Sequence, residues 1–263
     1  MSDGAPIVSI IIPCYHAERF VGRCLNSLYR QIFKNFEVIL AVDDYHFDNT
    51  IEYVKRFKNC LKIKYSIIDQ KTSPASARNR AFKISNGKYI AFLDVDDWWT
   101  EDKLEKQVDF LENNPTVDLV YSRQNRIWTG DLEQKQDLVG MRYTHESLMR
   151  GCIAPHSTIM IRREKFINFD ERLKGADDYA WLLDLEKQGV KMEMIDKILC
   201  YMDIHGENLT SGNKARAFQI ARIFWVRGNH FYAIVRFIKE YFNEPIGRAI
   251  RIKKTIFPNE WIK

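Results

Sequence analysis

Tyr89-Ile90-Ala91-Phe92-Leu93-Asp94-Val95-Asp96-Asp97 is the stretch that decides the fold. Five apolar residues run together, and three of the next four are carboxylates. A short unbroken apolar run reads as a strand buried on both faces, the habit of parallel sheets. Three carboxylates so close repel one another unless a cation or donor groups sit among them. The strand is therefore expected to stop in a polar turn.

Working outward, the same pattern recurs. Residues 36–42 form an apolar run that ends in Asp43-Asp44, 7–12 form one bounded by Pro13, and 61–68 form one with partial alternation. Helical spacing lies between the runs. Over 17–31 it places Phe20, Val21, Cys24, Leu25 and Leu28 on one face, and over 49–57 Ile51, Val54 and Phe57, with Asp48 as the cap. Over 73–85, Pro74 falls in the first turn and Gly87 just past the end. This alternation predicts an α/β fold, a Rossmann-like and mostly parallel sheet with helices on both faces.

Beyond Asp97 the spacing predicts a helix over 101–112 with Thr100 as its cap, a strand over 117–122 and a hairpin or loop over 124–140. It then predicts a strand over 158–161, a helix over 177–188 ended by Gly189, and a strand over 198–204. Residues 214–242 are helical in pattern, with Ile220, Ile223, Phe224, Phe231, Ile234, Val235, Ile238 and Tyr241 at spacings of three, four and seven. Gly228 divides this pattern and Pro245 stops it. The chain thus divides into a main domain over 1–212 and a C-terminal helical extension over 213–263.

Composition narrows the class. The chain has 263 residues, 46% hydrophobic and 29% charged, as in globular proteins. No apolar run nears the roughly 18 residues of a membrane span, and the N-terminus lacks the basic region of a secretory signal. The five cysteines are scattered without CxxC spacing, so a disulfide framework or thiolate zinc site is not expected and a reducing cytoplasm is. Net charge is +5, but residues 214–263 carry eleven Lys or Arg against three Glu. That basic end suits an anionic partner such as a membrane surface or a phosphate-bearing acceptor, or equally a solvated helix face. Nucleic acid is not expected as a partner.

In an open parallel sheet, ligands bind beyond the carboxyl ends of the strands. Asp43-Asp44 and Asp94, Asp96 and Asp97 are expected to face one crevice there. With Thr100 capping the next helix and Glu101 and Asp102 serving its dipole, those aspartates are surplus to capping. Hard oxygen ligands suit Mg²⁺ or Mn²⁺, which are held by one or two carboxylates plus substrate phosphates. No GxGxxG follows the first strand and no GxxxxGK[ST] occurs, which disfavours a dinucleotide fold and a P-loop.

Taken in order, several segments resemble the family 2 glycosyltransferases of the GT-A fold over about residues 7–205. They are Ile10-Ile11-Ile12-Pro13-Cys14-Tyr15, Phe36-Glu37-Val38-Ile39 leading to Asp43-Asp44 and Asp48-Asn49-Thr50, Ala77-Arg78-Asn79, the opening stretch 89–97, and Asp177-Asp178-Tyr179 before a helix. The resemblance implies an inverting transferase that takes a sugar from a nucleotide-sugar donor, a UDP-sugar by expectation, with Mn²⁺ or Mg²⁺. The acceptor is expected to be a glycan or lipid-linked, in surface polysaccharide synthesis. It puts Pro13 and Tyr15 on the donor side, with Tyr15 stacking on the base. Asp44 accepts from the base, and Asp43 lies beside it. Arg78 lies near the phosphates or sugar, and Asp94 meets the sugar or ribose. Asp96 ligates the metal, Asp178 is the catalytic base, and His205 meets the metal or the diphosphate. One base and one in-line displacement invert the anomeric centre, whereas retaining glycosidases use a covalent intermediate.

Some positions depart from the family pattern. Tyr45-His46-Phe47 stands where Gly-Ser-Thr is usual, His16 where Asn is usual, Ser73 where Gly is common, and Asp177 where Glu is usual. Trp98 and Trp99 either flank the site or pack, and His156 falls toward the acceptor side. Two rivals remain at this level. A nucleotidyltransferase of related fold needs a basic glycine-containing loop after the first strand, which residues 13–19 lack. A non-catalytic sugar-nucleotide-binding protein is expected to have lost Asp96 or Asp178, and both are present.

Overall fold

The computed structural model describes residues 4–128, 136–173, 177–204, 220–225 and 233–234. Its elements run β1 (Val8–Tyr15), α1 (Glu18–Tyr29), β2 (Phe36–Asp43), α2 (Thr50–Lys55), β3 (Ile63–Ile68), α3 (Pro74–Ile84), β4 (Tyr89–Phe92) and β5 (Trp98–Trp99). They continue with α4 (Lys103–Asn113), β6 (Leu119–Trp128), β7 (Gln136–Val139), α5 (His145–Arg150), β8 (Met160–Arg162), α6 (Asp177–Lys187) and β9 (Met192–Ile204).

The four apolar runs become four parallel neighbours in the order β3-β2-β1-β4. Alternate residues divide between the two sheet faces. Ile10 and Ile12 pack with Val38 and Leu40 against α1 and α4 through Val21, Leu25, Leu104 and Val108. Ile11, Ile39, Ile90 and Phe92 pack on the opposite face with Ala77, Trp181 and Leu185 of α3 and α6. Every residue of β2 is buried, as a strand covered on both faces must be.

Past β4 the sheet becomes mixed. β8 pairs antiparallel with β4 and β6, while β9 runs parallel to β6 and antiparallel to β5. The polar stretch after residue 122 continues β6 as far as Trp128 and returns as β7, so it is a hairpin. β9 starts at Met192, earlier than the apolar pattern suggests, because its first half alternates buried and exposed.

Ser73 caps α3 through its side chain, which accepts from the Ser76 N–H at 3.2 Å. Asp48 serves two helices, accepting from the N–H groups of Glu18 and Thr50, each at 3.0 Å. Thr100 does not cap α4. The helix begins at Lys103, and the Thr100 hydroxyl donates to Asp102 at 2.6 Å instead. Gly87 is required where it stands, since a Cβ there would meet Ser9 N at 2.4 Å.

Of the C-terminal extension, Ile220, Ile223 and Phe224 are buried in the core on the α6 face, while Trp225 and Ile234 are exposed. The remaining predicted positions of that stripe, the basic tail and His205 lie outside the described residues. Among the described residues, no helix is long and apolar enough to cross a membrane.

Candidate active site

Because β2, β1 and β4 are parallel neighbours, their carboxyl ends open on one edge of the sheet. Tyr15 ends β1, Asp43 ends β2, and Asp94 follows β4 by two residues. Leu93 N–H still bonds to Ile11 O at 3.1 Å, so the chain leaves the sheet only at Asp94. It then turns tightly, with Asp97 N–H bonding to Asp94 O at 3.0 Å.

The three aspartates of this turn have different surroundings. Asp94 is partly open, with 36% of its side chain exposed, and receives the Arg78 guanidinium at 2.6 Å. Asp96 is half-buried, and its backbone carbonyl accepts from Arg23 at 2.8 Å. Asp97 is buried, and Gln124 donates to its Oδ2 at 3.3 Å. Burial, then the charges of Asp96 and Asp94, push the Asp97 carboxyl well above the usual carboxylate range.

Arg78 is buried in the first half of α3 and donates in two directions. Nη2 reaches Asp94, and Nη1 reaches Asp177 Oδ2 at 2.8 Å. The family resemblance puts Arg78 near the phosphates or the sugar. Here its two terminal nitrogens are committed to carboxylates, so it links the aspartate turn to the start of α6.

Asp178, next in α6, is half-buried. Its Oδ1 accepts from Tyr179 N–H at 2.7 Å, and its Oδ2 lies 3.6 Å from Cys152 Sγ. Burial and then the neighbouring Asp177 charge raise its pKa to about 6. A carboxylate poised there can take a proton near neutral pH, as a general base must.

The other end of the edge holds Tyr15, His16, Asp43 and Asp44. Asp43 is buried and engaged, accepting from Thr72 N–H at 2.7 Å and forming an ion pair with Arg80. Asp44 is the more open of the two, with His16 Nε2 at 3.3 Å from its Oδ2. Pro13 sits within β1 opposite Ala41.

The sequence matches the family described as Glycosyl transferase family 2 over residues 9–170. The chain belongs to that family. It is 27% identical over 254 residues, 90% of its length, to the UDP-Glc:alpha-D-GlcNAc-diphosphoundecaprenol beta-1,3-glucosyltransferase WfaP of Escherichia coli, of which the match covers 96%. It is 34% identical over 201 residues, 71% of its length and 66% of the relative's, to the amylovoran biosynthesis glycosyltransferase AmsB of Erwinia amylovora. The fold is shared with S. aureus TarS 1-349 in complex with UDP-GlcNAc, at a TM-score of 0.69 and 23% identity over 94% of this chain and 76% of that one. It is also shared with the mannosyltransferase PcManGT of Pyrobaculum calidifontis in complex with GDP-Man and Mn²⁺, at a TM-score of 0.65 and 17% identity, covering 96% and 82%.

As a family 2 glycosyltransferase, the chain carries departures that the geometry explains. His16 and Asp44 both have positive φ, 48° and 53°. Asn is at ease in that region, and His is among the few other residues enriched there. Phe47, in the unusual Tyr45-His46-Phe47 loop, stacks on the His16 ring with centroids 3.5 Å apart.

For a metal, the oxygen donors of Asp94 and Asp96 suit Mn²⁺ or Mg²⁺ chemically. Among the described residues no group of three or more His, Cys, Asp or Glu converges.

Several residues of the site carried no signal in the sequence. Arg23 ion-pairs with buried Asp203 at 2.6 Å and stacks over Trp98 at 4.0 Å. Cys152, half-buried, lies beside the Asp178 carboxylate. Their partners lie far off in sequence, with no spacing rule to mark them. His156 is buried among Phe92, Phe169 and Trp181, and burial holds its ring neutral.

The Asp178 pKa gives a stability prediction. Its folded value, about 6, exceeds the unfolded value near 3.8. The folded state therefore favours the protonated form, and stability falls as pH rises from about 4 to about 6. Asp178→Asn keeps the acceptor for Tyr179 N–H and removes the charge. Urea titrations should find the variant more stable than wild type by on the order of 2 kcal/mol at pH 7 and equal to it near pH 4. Equal stability at both pH values would exclude a raised pKa at this position.

Proposed function

We propose that the chain transfers a sugar from a UDP-sugar to a hydroxyl of a lipid-linked or polysaccharide acceptor, with inversion at the anomeric carbon. The observation that carries this reading is the Arg78 link, which holds a donor-side carboxylate, Asp94, and the start of the base-bearing helix on one guanidinium. Asp178 takes the proton of the acceptor hydroxyl as that oxygen attacks the anomeric carbon. Tyr15 and Asp44 receive the base, and Asp43 with Pro13 shapes the strand ends beneath it. Asp94 orients the ribose or sugar.

Asp96, with His205 beyond the described residues, is the proposed holder of Mn²⁺ or Mg²⁺. When bound, such an ion stabilises the negative charge of the departing diphosphate. Arg78 positions Asp94 and Asp177 and does not meet the phosphates directly. The UDP preference rests on likeness to the E. coli enzyme, whose name specifies a UDP-glucose donor and a diphosphoundecaprenol acceptor.

The working division is a transferase domain over 1–212 and an extension over 213–263. The excess of Lys and Arg in that extension supports contact with the anionic cytoplasmic face of a membrane, where a lipid-linked acceptor would lie.

A thermal-shift panel of UDP, GDP and CDP with MnCl₂ tests the donor. UDP with Mn²⁺ should raise Tm most, and no response to any of the three would sink the reading. In transfer assays, Asp178→Asn should bind UDP as wild type does and lose turnover by about a thousandfold, within the usual range for a general base. Wild-type turnover should fall as pH drops through about 6, where Asp178 gains its proton. Deleting residues 245–263 should weaken sedimentation with phosphatidylglycerol vesicles, and unchanged sedimentation would favour a solvated tail.

A further inference from the structure

The segment Pro155-His156-Ser157-Thr158 had no part in the sequence reading of the donor site, yet it forms the wall on which the aspartate turn rests. Its 3₁₀ turn covers His156–Thr158, and all three residues are buried. The Ser157 hydroxyl accepts from the Asp94 N–H at 3.0 Å. The Ser157 carbonyl accepts from Trp99 Nε1 at 2.8 Å, so the side chain just past the turn grips the same residue. Gln107 of α4 donates to Thr158 O at 2.8 Å and fixes the next position.

This arrangement answers a backbone problem. Asp94 is the second residue beyond β4, just past the last N–H bonded to β1, so its own N–H has left the strand ladder. An amide withdrawn from water needs a partner, and a side-chain hydroxyl is the partner supplied here. The hydroxyl thereby also sets the plane of the peptide from which the Asp94 side chain projects. That side chain gives Oδ1 to Arg78 and remains partly exposed.

We propose that Ser157 is a positioning residue of the donor site, orienting Asp94 through its backbone amide so that the carboxylate meets Arg78 and the donor's ribose or sugar together. The inference rests on the donor-site reading above. It assigns Ser157 no contact with the substrate.

The test is calorimetric titration of the full chain with UDP in MnCl₂, comparing wild type, Ser157→Ala, Ser157→Cys and Thr158→Val, each with its melting curve. Thr158→Val removes the bond from the Thr158 hydroxyl to Pro155 O, at 2.7 Å in the same turn, without touching Asp94. Ser157→Ala should weaken UDP about five- to tenfold, the equivalent of one hydrogen bond. Ser157→Cys, with a weaker acceptor in the same place, should fall between. Thr158→Val should keep wild-type affinity even where its Tm drops as far. In steady-state assays the donor KM of Ser157→Ala should rise while the acceptor KM stays constant.

Wild-type UDP affinity in Ser157→Ala would overturn the proposal, and so would an equal loss in Thr158→Val. If Ser157→Ala does not fold, Ser157→Cys decides by the same comparison. A wild-type chain that binds no UDP would overturn the donor reading itself, and this inference with it.

Discussion

A buried guanidinium with a carboxylate at each hand is the constraint on which the site depends. Arg78 is withdrawn from water, and burial alone would weaken its charge. Asp94 and Asp177 more than restore it, so the group stays protonated. Removing one partner of such a buried pair costs about 3–5 kcal/mol, because the other charge is left uncompensated. The chain has therefore tied the end of β4 to the start of α6, residues far apart in sequence, by a contact that fails if either element shifts. That is the precision a transferase needs, since donor and acceptor groups act together only within a narrow range of position.

The same contact divides the labour of two adjacent aspartates. Asp177 is the anchor, buried and bound to Arg78. Asp178 faces away from that cation, toward Cys152 and its own helix amide. Deprived of a strong ion pair, and with the Asp177 charge beside it, Asp178 holds its proton more tightly than an ordinary carboxylate. An anchored acid and a proton-hungry neighbour thus follow from where one guanidinium points. A shorter acid at 177, where the family commonly has Glu, keeps that pairing because Arg78 itself spans the distance.

The parallel half of the fold was legible because strands covered on both faces must be apolar throughout, as β2 is. The mixed half was less so. β9 alternates, and β6 carries Arg123, Gln124 and Asn125 into the sheet, so their apolar signal is diluted. Thr100 misled as a cap because its hydroxyl found a nearer acceptor in Asp102. None of the three preceding aspartates caps α4 either, since Asp97 closes a turn on Asp94 and the helix begins only at Lys103. For the site, the order of motifs named Asp94, Asp96 and Asp178. It could not tell that Arg78 faces carboxylates, nor that Ser157 and Arg23 brace the turn, because those are long-range pairings.

The Tyr15 end of the crevice follows a different logic, that of local strain. His16 and Asp44 hold left-handed backbone conformations that cost a non-glycine residue about 1–3 kcal/mol each. They face one another across β1 and β2, where the His16 ring meets the Asp44 carboxylate and lies between Tyr15 and Phe47. Lys71 Nζ sits 4.0 Å over the Tyr15 ring, whose other face His16 occupies at 3.8 Å between centroids. Two groups cannot share one face at such distances. Any planar group stacking on Tyr15 would have to displace one of them, and the two are not held alike. His16 is held by its backbone, by Phe47 and by Asp44. Lys71 is an exposed, flexible chain, so it is the group that yields. The aromatic loop at 45–47, so unlike the small residues usual there, thereby fixes His16 against one face of Tyr15 and leaves Lys71 as the movable group on the other.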